Sequence, residues 1–225
     1  MITKRQIQDW NKAKWERKNH AMYEQYAQNK WPWFDDKLDP DTGEFLIAHG
    51  ANGLHILDVG TCSGSQAIEM ARRGHRVVGT DISETALAQA KLAAAGEPGL
   101  ALRFVLDDIA GTHLPDEEFD LVVDRGCYDS ICSFNHEEYV ASVRRVLKPG
   151  GVLLLKTMSS AETRFASYDE VGGRKVQVPF HFTADQLRTL FSPHFAIEQL
   201  RDSFYYSSVV AEPARAHFLI LRVGP

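Results

Sequence analysis

A chain of 225 residues, 44% of them hydrophobic, is long enough for one domain with a sizeable core and a small extension. No apolar run approaches the roughly 18 residues of a membrane span, the polar start MITKRQIQDW lacks a signal peptide's apolar region, and Cys62, Cys127 and Cys132 form an odd set without C-x-x-C spacing. The expectation is a soluble, cytoplasmic protein with no disulfide framework and no metal site. The net charge of −5 conceals seven Lys or Arg against three acids in residues 1–30 and about nine net negative charges in the remainder; that acidic body repels phosphates, so no nucleic-acid partner is expected.

Residues 1–50 read as an N-terminal helical arm or lid, and 51–225 as the main domain. Residues 3–29 are polar, with Trp15, Met22 and Tyr26 spaced by seven and four, the stripe of an amphipathic helix whose aromatics cover core. Pro32 forces Trp31 extended and ends that helix, which leaves Trp31 and Trp33 on an irregular connection as candidate lid or substrate-pocket residues. The segment DPDTGEFLIAHGANG follows as turn, short helix and loop.

The most informative stretch is HILDVGTCSGSQ, residues 55–66. An apolar run carries Asp58 to its end and breaks into the turn Gly60, Thr61, Cys62, Ser63, Gly64, which opens into the helical pattern of residues 64–73. Strand, small-residue loop and helix start form the place where an open α/β sheet binds a nucleotide-like ligand. The next strand, 76–82, brings Asp81 and Ile82 beside that loop, and a carboxylate there can accept both hydrogen bonds of a ribose diol. A dinucleotide fingerprint beginning at Gly60 would need Gly where Cys62 and Ser65 stand, and the Walker pattern is missing. A ligand with no phosphate tolerates those side chains in its wall.

A helix over 84–95 leads to the strand 101–107, whose end carries Asp107 and Asp108 followed by Ile109. The strand 119–125 presents Asp124, Arg125, Gly126, Cys127, Tyr128 and Asp129 at the predicted switch point of strand order, where ligands collect. A helix over 136–147, the turn of RVLKPGG and a buried strand over 152–158 complete an alternation of strands and helices. The polar excursion 159–182 is long for a compact domain and is expected to wall the substrate pocket; it contains His181 between Phe180 and Phe182, where a packed core histidine competes with a general base. A helix starts at Thr183, and the chain closes in a hairpin of HFAIEQL and AHFLILRV, with Tyr205 and Tyr206 near its turn. The fold class is therefore α/β: a doubly wound, mostly parallel, seven-stranded sheet with the last strand antiparallel and an N-terminal helical extension.

The order Asp58, Gly60, Gly64, Asp81 resembles the first two motifs of the class I S-adenosylmethionine-dependent methyltransferases, with Cys62 in place of the middle glycine of D-x-G-x-G-x-G. RVLKPGG is similar to a phrase that recurs in that superfamily, and the D-R-G tip with RGHRVVGTDISETAL resembles thiopurine S-methyltransferase and related small-molecule enzymes, over residues 55–158. The resemblance implies a Rossmann-like methyltransferase fold and S-adenosylmethionine as cofactor, with S-adenosylhomocysteine as product. It places Asp58, Gly60, Thr61, Cys62, Gly64, Asp81, Ile82 and Asp124 at the cofactor, one of Asp107 and Asp108, with Asp108 favoured, on the adenine amino group, and Ile109 on the ring. The acceptor would be a small thiol, oxygen or nitrogen nucleophile, methylated by in-line displacement in a pocket of Trp31, Trp33, Tyr128, Tyr205 and Tyr206. Arg125 could lower an acceptor thiol's pKa, and Asp129 or His181 could serve as a base. The alternatives are a protein lysine methyltransferase, which needs an open groove, an NAD(P)-dependent reductase, which Cys62 and Ser65 disfavour, and a non-catalytic cofactor-binding module.

Overall fold

The computed structural model describes residues 2–26, 35–50, 52–207 and 210–224. Trp31 and Trp33, and the side chain of Tyr26, lie outside the described residues. Seven strands form the main sheet: β1 (His55–Val59), β2 (Arg76–Asp81), β3 (Leu102–Leu106), β4 (Phe119–Arg125), β5 (Leu147–Met158), β8 (Ala196–Tyr205) and β9 (Ala214–Arg222). Their spatial order is β3-β2-β1-β4-β5-β9-β8. The first five run parallel, and β9 lies antiparallel between β5 and β8. The expected seven-stranded, mostly parallel sheet with an antiparallel last strand is what the chain forms.

Strand residues alternate between two cores, which is why helices cover both faces. On one face Leu57, Val122 and Leu153 pack with Tyr139, Val143 and Phe191 from α5 (His136–Val146) and α6 (Ala184–Phe191). On the other, Ile56, Leu121 and Leu154 pack with Ala67 and Met70 of α3 (Ser65–Arg72) and Phe45 of α2 (Pro40–Ala48). Each fully buried side chain of this kind contributes about 1.5–3 kcal/mol. α4 (Glu84–Ala94) packs against β2 and β3.

Two parts differ from the sequence reading. β5 begins at Leu147, not 152: Phe119 pairs with Leu147 and Leu121 with Val152, so Lys148–Gly151 bulges out of register, with Gly150 at φ +74°. The excursion after β5 contains a hairpin, β6 (Tyr168–Val171) and β7 (Arg174–Gln177), turned by Gly172 and Gly173, both at positive φ. Val171, Val176 and Val178 bury against Ile7 of α1 (Lys4–Tyr26) and Cys132, so the hairpin holds the N-terminal helix.

Candidate functional site

β1 and β4 are neighbours whose onward connections run to opposite sides of the sheet, and a cavity of about 210 Å³ opens at their carboxyl ends. Its floor is built by the loop after β1. Gly60 has φ +65°, and a β-carbon there would lie 2.8 Å from Cys127 Cβ, so only glycine lets this loop approach the β4 tip. Cys62 also has positive φ, +51°, keeping the backbone shape that a glycine would adopt while adding a thiol to the wall. Burial pushes that thiol up to about 12, which keeps it neutral. Gly64, just behind the lining, N-caps α3. Gln66, in that helix's first turn, accepts from Asp39 N at 2.8 Å and donates to Lys37 O at 2.7 Å.

Carboxylates dominate the floor, and each is fixed by the chain. Asp81 accepts from Cys62 N at 3.0 Å and Ser83 N at 2.9 Å, and burial raises it to about 6. Asp58 accepts from the Thr61 hydroxyl at 2.6 Å, and burial raises it to about 7. Asp108 accepts from Ala110 N at 3.0 Å and caps the short 3-10 turn Ile109–Gly111; burial pushes it up as well. Asp107 accepts from His113 N at 3.1 Å, yet its Oδ2 is buried with no hydrogen-bond partner. All four line the cavity with Thr61, Cys62, Ile82 and Ile109. Among the described residues the Oδ2 atoms of both Asp107 and Asp108 accept no hydrogen bond, and that of Asp107 is the more deeply buried.

The β4 tip divides its residues. Arg125 and Asp129 line the cavity. Arg125 Nε donates to Asp39 Oδ2 at 3.1 Å and Nη2 to Tyr206 O at 2.6 Å. Asp129, raised to about 6 by burial, accepts from Met158 N at 2.7 Å, the Tyr205 hydroxyl at 2.9 Å and the Ser130 hydroxyl at 3.0 Å. Asp124 and Tyr128 turn inward and are absent from the lining. The Asp124 carboxylate accepts from Cys127 N, Tyr128 N and the Tyr139 hydroxyl, so it shapes the turn, while Tyr128 stacks on Phe182 with ring centroids 5.2 Å apart in the core. Tyr205 lines the cavity, but Tyr206 projects to solvent at 41% exposure, and His181 lies away from the lining, where burial lowers its pKa.

Two contributors escape sequence reasoning. One is α1: Trp15, which packs on the cluster of Ile7 and Val176 as a core-covering aromatic should, and the buried Met22 also line the cavity with Asn11, Lys18 and Asn19. Trp15 Nε1 donates to Ser130 O at 3.1 Å, tying the helix to the β4 tip. The other is a buried ion-pair network behind Arg125, in which Lys156 Nζ, 2% exposed, meets Asp39, the N-cap of α2, and Asp41 at 2.7 Å. Burial opposes ionisation of Asp41, but Lys156, Ser203 and Arg201 outweigh it and hold the carboxyl below its ordinary value. Among the described residues no helix is long and apolar enough to cross a membrane.

Comparison with known proteins gives this geometry its family. A family model described as a methyltransferase domain matches residues 57–155. An uncharacterized methyltransferase of Schizosaccharomyces pombe is 31% identical over 130 residues, covering 58% of this chain and 88% of the relative. The 2-heptyl-1-hydroxyquinolin-4(1H)-one methyltransferase of Mycobacteroides abscessus is 26% identical over 79% of this chain and 74% of its own length. The fold matches that of Burkholderia thailandensis 1,6-didemethyltoxoflavin-N1-methyltransferase, determined with 1,6-didemethyltoxoflavin and S-adenosylhomocysteine bound, with TM-score 0.68 at 20% identity over 92% of this chain and 87% of that one. The chain belongs to the class I S-adenosylmethionine-dependent methyltransferases. Its floor suits that cofactor: acceptor carboxylates, one of them with a buried unpartnered oxygen, meet a molecule rich in hydrogen-bond donors and positive charge, and no phosphate has to be accommodated. The family replaces the reductase alternative.

Proposed function

We infer that the protein methylates a small molecule, with residues 1–50 acting as a lid on the domain 51–225. The observation that carries this is the position of α1, whose Asn11, Trp15, Lys18, Asn19 and Met22 wall the cavity where a polypeptide substrate would need an open groove. The named acceptors of the Mycobacteroides and Burkholderia enzymes, both small heterocycles, point the same way.

When bound, S-adenosylmethionine supplies a methyl group on a sulfonium, whose departure as a thioether needs no acid. The chain's task is then orientation and exclusion of water. Asp81 would take the ribose diol, one of Asp107 and Asp108, with Asp108 favoured, the adenine amino group, and Ile82 and Ile109 would pack on the base. Asp58 stands toward the ammonium end, and Gly60, Thr61, Cys62 and Gly64 provide the wall. Asp124 contributes by holding the β4 tip in shape. On the acceptor side, Asp129 and Tyr205 form a hydrogen-bonded pair that can orient an acceptor and receive its proton. The D-R-G tip is similar to that of thiopurine S-methyltransferase-like enzymes, so thiols head the list of acceptors, but the Arg125 charge is already matched by Asp39.

The test is release of S-adenosylhomocysteine across thiols, phenols, amines and protein extracts. Turnover with small molecules is the expected result. Turnover with protein extract alone would install the lysine-methyltransferase reading, and binding without any turnover the non-catalytic one.

A further inference from the structure

The lid and the floor of the cavity differ in hydrogen-bonding character. Asp58, Asp81, Asp107, Asp108 and Asp129 make the floor a surface of acceptors. α1 brings donors. Its cavity-facing residues recur at helical spacing, and Asn11 and Asn19 are only 2% and 4% exposed. Asn11 Oδ1 accepts from Cys132 N at 3.2 Å and Asn19 Oδ1 lies 3.8 Å from the Cys62 thiol, but among the described residues neither amide nitrogen has a hydrogen-bond partner.

Between them stands Lys18. Its Nζ lies 5.1 Å from the Trp15 ring centroid, and among the described residues it forms no ion pair. The other lining cation, Arg125, is held by Asp39, and the acid on the β6 side of the lid, Asp169, is taken at 3.2 Å by Lys14. Burial lowers the Lys18 pKa, with Asp169 opposing, as expected for a partly desolvated ammonium short of counter-charge. Trp15, Phe165, Met158 and Tyr205 add apolar surface to the same cavity.

The cofactor's hydroxyl, amino and ammonium donors match the floor, which leaves its carboxylate and the second molecule as partners for the lid's donors. We propose that Lys18, supported by Asn11 one heptad earlier on the same helix face, determines acceptor specificity, and that the acceptor is an apolar ring bearing an anionic oxygen group, a carboxylate or an ionised hydroxyl. This rests on the methyltransferase reading above and names the acceptor class for that same site.

The test uses the full chain loaded with S-adenosylhomocysteine and titrated calorimetrically with 4-hydroxybenzoate, 4-mercaptobenzoate and salicylate, each against its methyl ester. The acids should bind at least tenfold more tightly than the esters. Lys18→Gln should abolish that preference with S-adenosylmethionine affinity and Tm unchanged, and Lys18→Arg should restore it. Repeating the methyl 4-hydroxybenzoate titration at pH 7 and pH 9 separates the two anions, because only an ionised hydroxyl gains affinity with pH. Equal binding of acids and esters, no binding of either, or a preference that survives Lys18→Gln would overturn the proposal. If Lys18→Gln weakens the cofactor instead, Lys18 serves the cofactor's own carboxylate and the acceptor assignment falls. Failure of the unaltered protein to bind S-adenosylmethionine would be a different result, one that removes the methyltransferase reading itself.

Discussion

Asp81 on the floor is held by two main-chain N–H groups, from Cys62 and Ser83, both within loops that the sheet positions. Asn19 of α1 meets the same loop through a 3.8 Å contact with the Cys62 thiol. The floor is preorganised by backbone, whereas the lid is attached by separate side-chain contacts: Trp15 to Ser130, Lys14 to Asp169, and Glu16 to the start of α4. Under the lid reading proposed above, a cofactor site that keeps its shape and an entrance that opens call for these two kinds of construction.

The contrast is broken most severely at the floor. Gly60→Ala drives a β-carbon into Cys127 at a positive φ, and should cost about 3 kcal/mol or more in stability and abolish measurable S-adenosylmethionine binding in titration calorimetry. Lys156→Met removes the most buried counter-charge of Asp39 and Asp41 while Arg125 and Arg201 remain, and should lower stability by about 3 kcal/mol, read as a shift of the urea midpoint. On the lid, Trp15→Ala removes one hydrogen bond and an aromatic packing contact, about 1–3 kcal/mol. It should speed proteolysis within residues 4–26 and leave the global urea transition near that of the unaltered protein. The smallest effect is expected on the outer face of α1, where Lys12→Ala loses only an exposed pair with Glu84 at 3.7 Å and should stay within about 0.5 kcal/mol.

A pH titration sharpens the same comparison. Asp58 and Asp81 sit at about 7 and about 6 in the folded protein, above their ordinary 3.8. Their contribution to stability is complete below about pH 4 and is lost as pH rises through 6 and 7, because the unfolded chain ionises first. Glu162, held down at about 2 by Arg164, works oppositely, its contribution being lost as pH falls from about 4 toward 2. A ligand that carries positive charge favours the ionised floor. Cofactor affinity should therefore increase from pH 5 to pH 8, with proton release visible as a buffer-dependent binding enthalpy; a flat profile would mean these carboxylates do not face the cofactor's charge.

The floor was legible because its determinants are local. An apolar strand, a small-residue turn and an acid at the end of the next strand specify one another within about 25 residues, and each glycine there answers a backbone requirement. The lid was not. Periodicity shows that Trp15 and Met22 share a face but not what that face covers. Tyr128 follows a strand end and reads as pocket-lining until Asp124 is seen gathering the amides of residues 127 and 128, which turns the ring inward. The Asp39–Lys156 pair joins positions 117 residues apart, with no local pattern to announce it. The Gly-Gly pair at 172 and 173 was a usable hairpin signal that polar composition obscured.

The Gln66 side chain has a mechanical consequence. By gripping the chain at both Lys37 and Asp39, one primary amide rivets the approach to α2 onto the first turn of the helix that begins at the ligand loop. The chain ahead of α2 and the helix that starts at the ligand loop therefore share one anchor, a single side-chain amide.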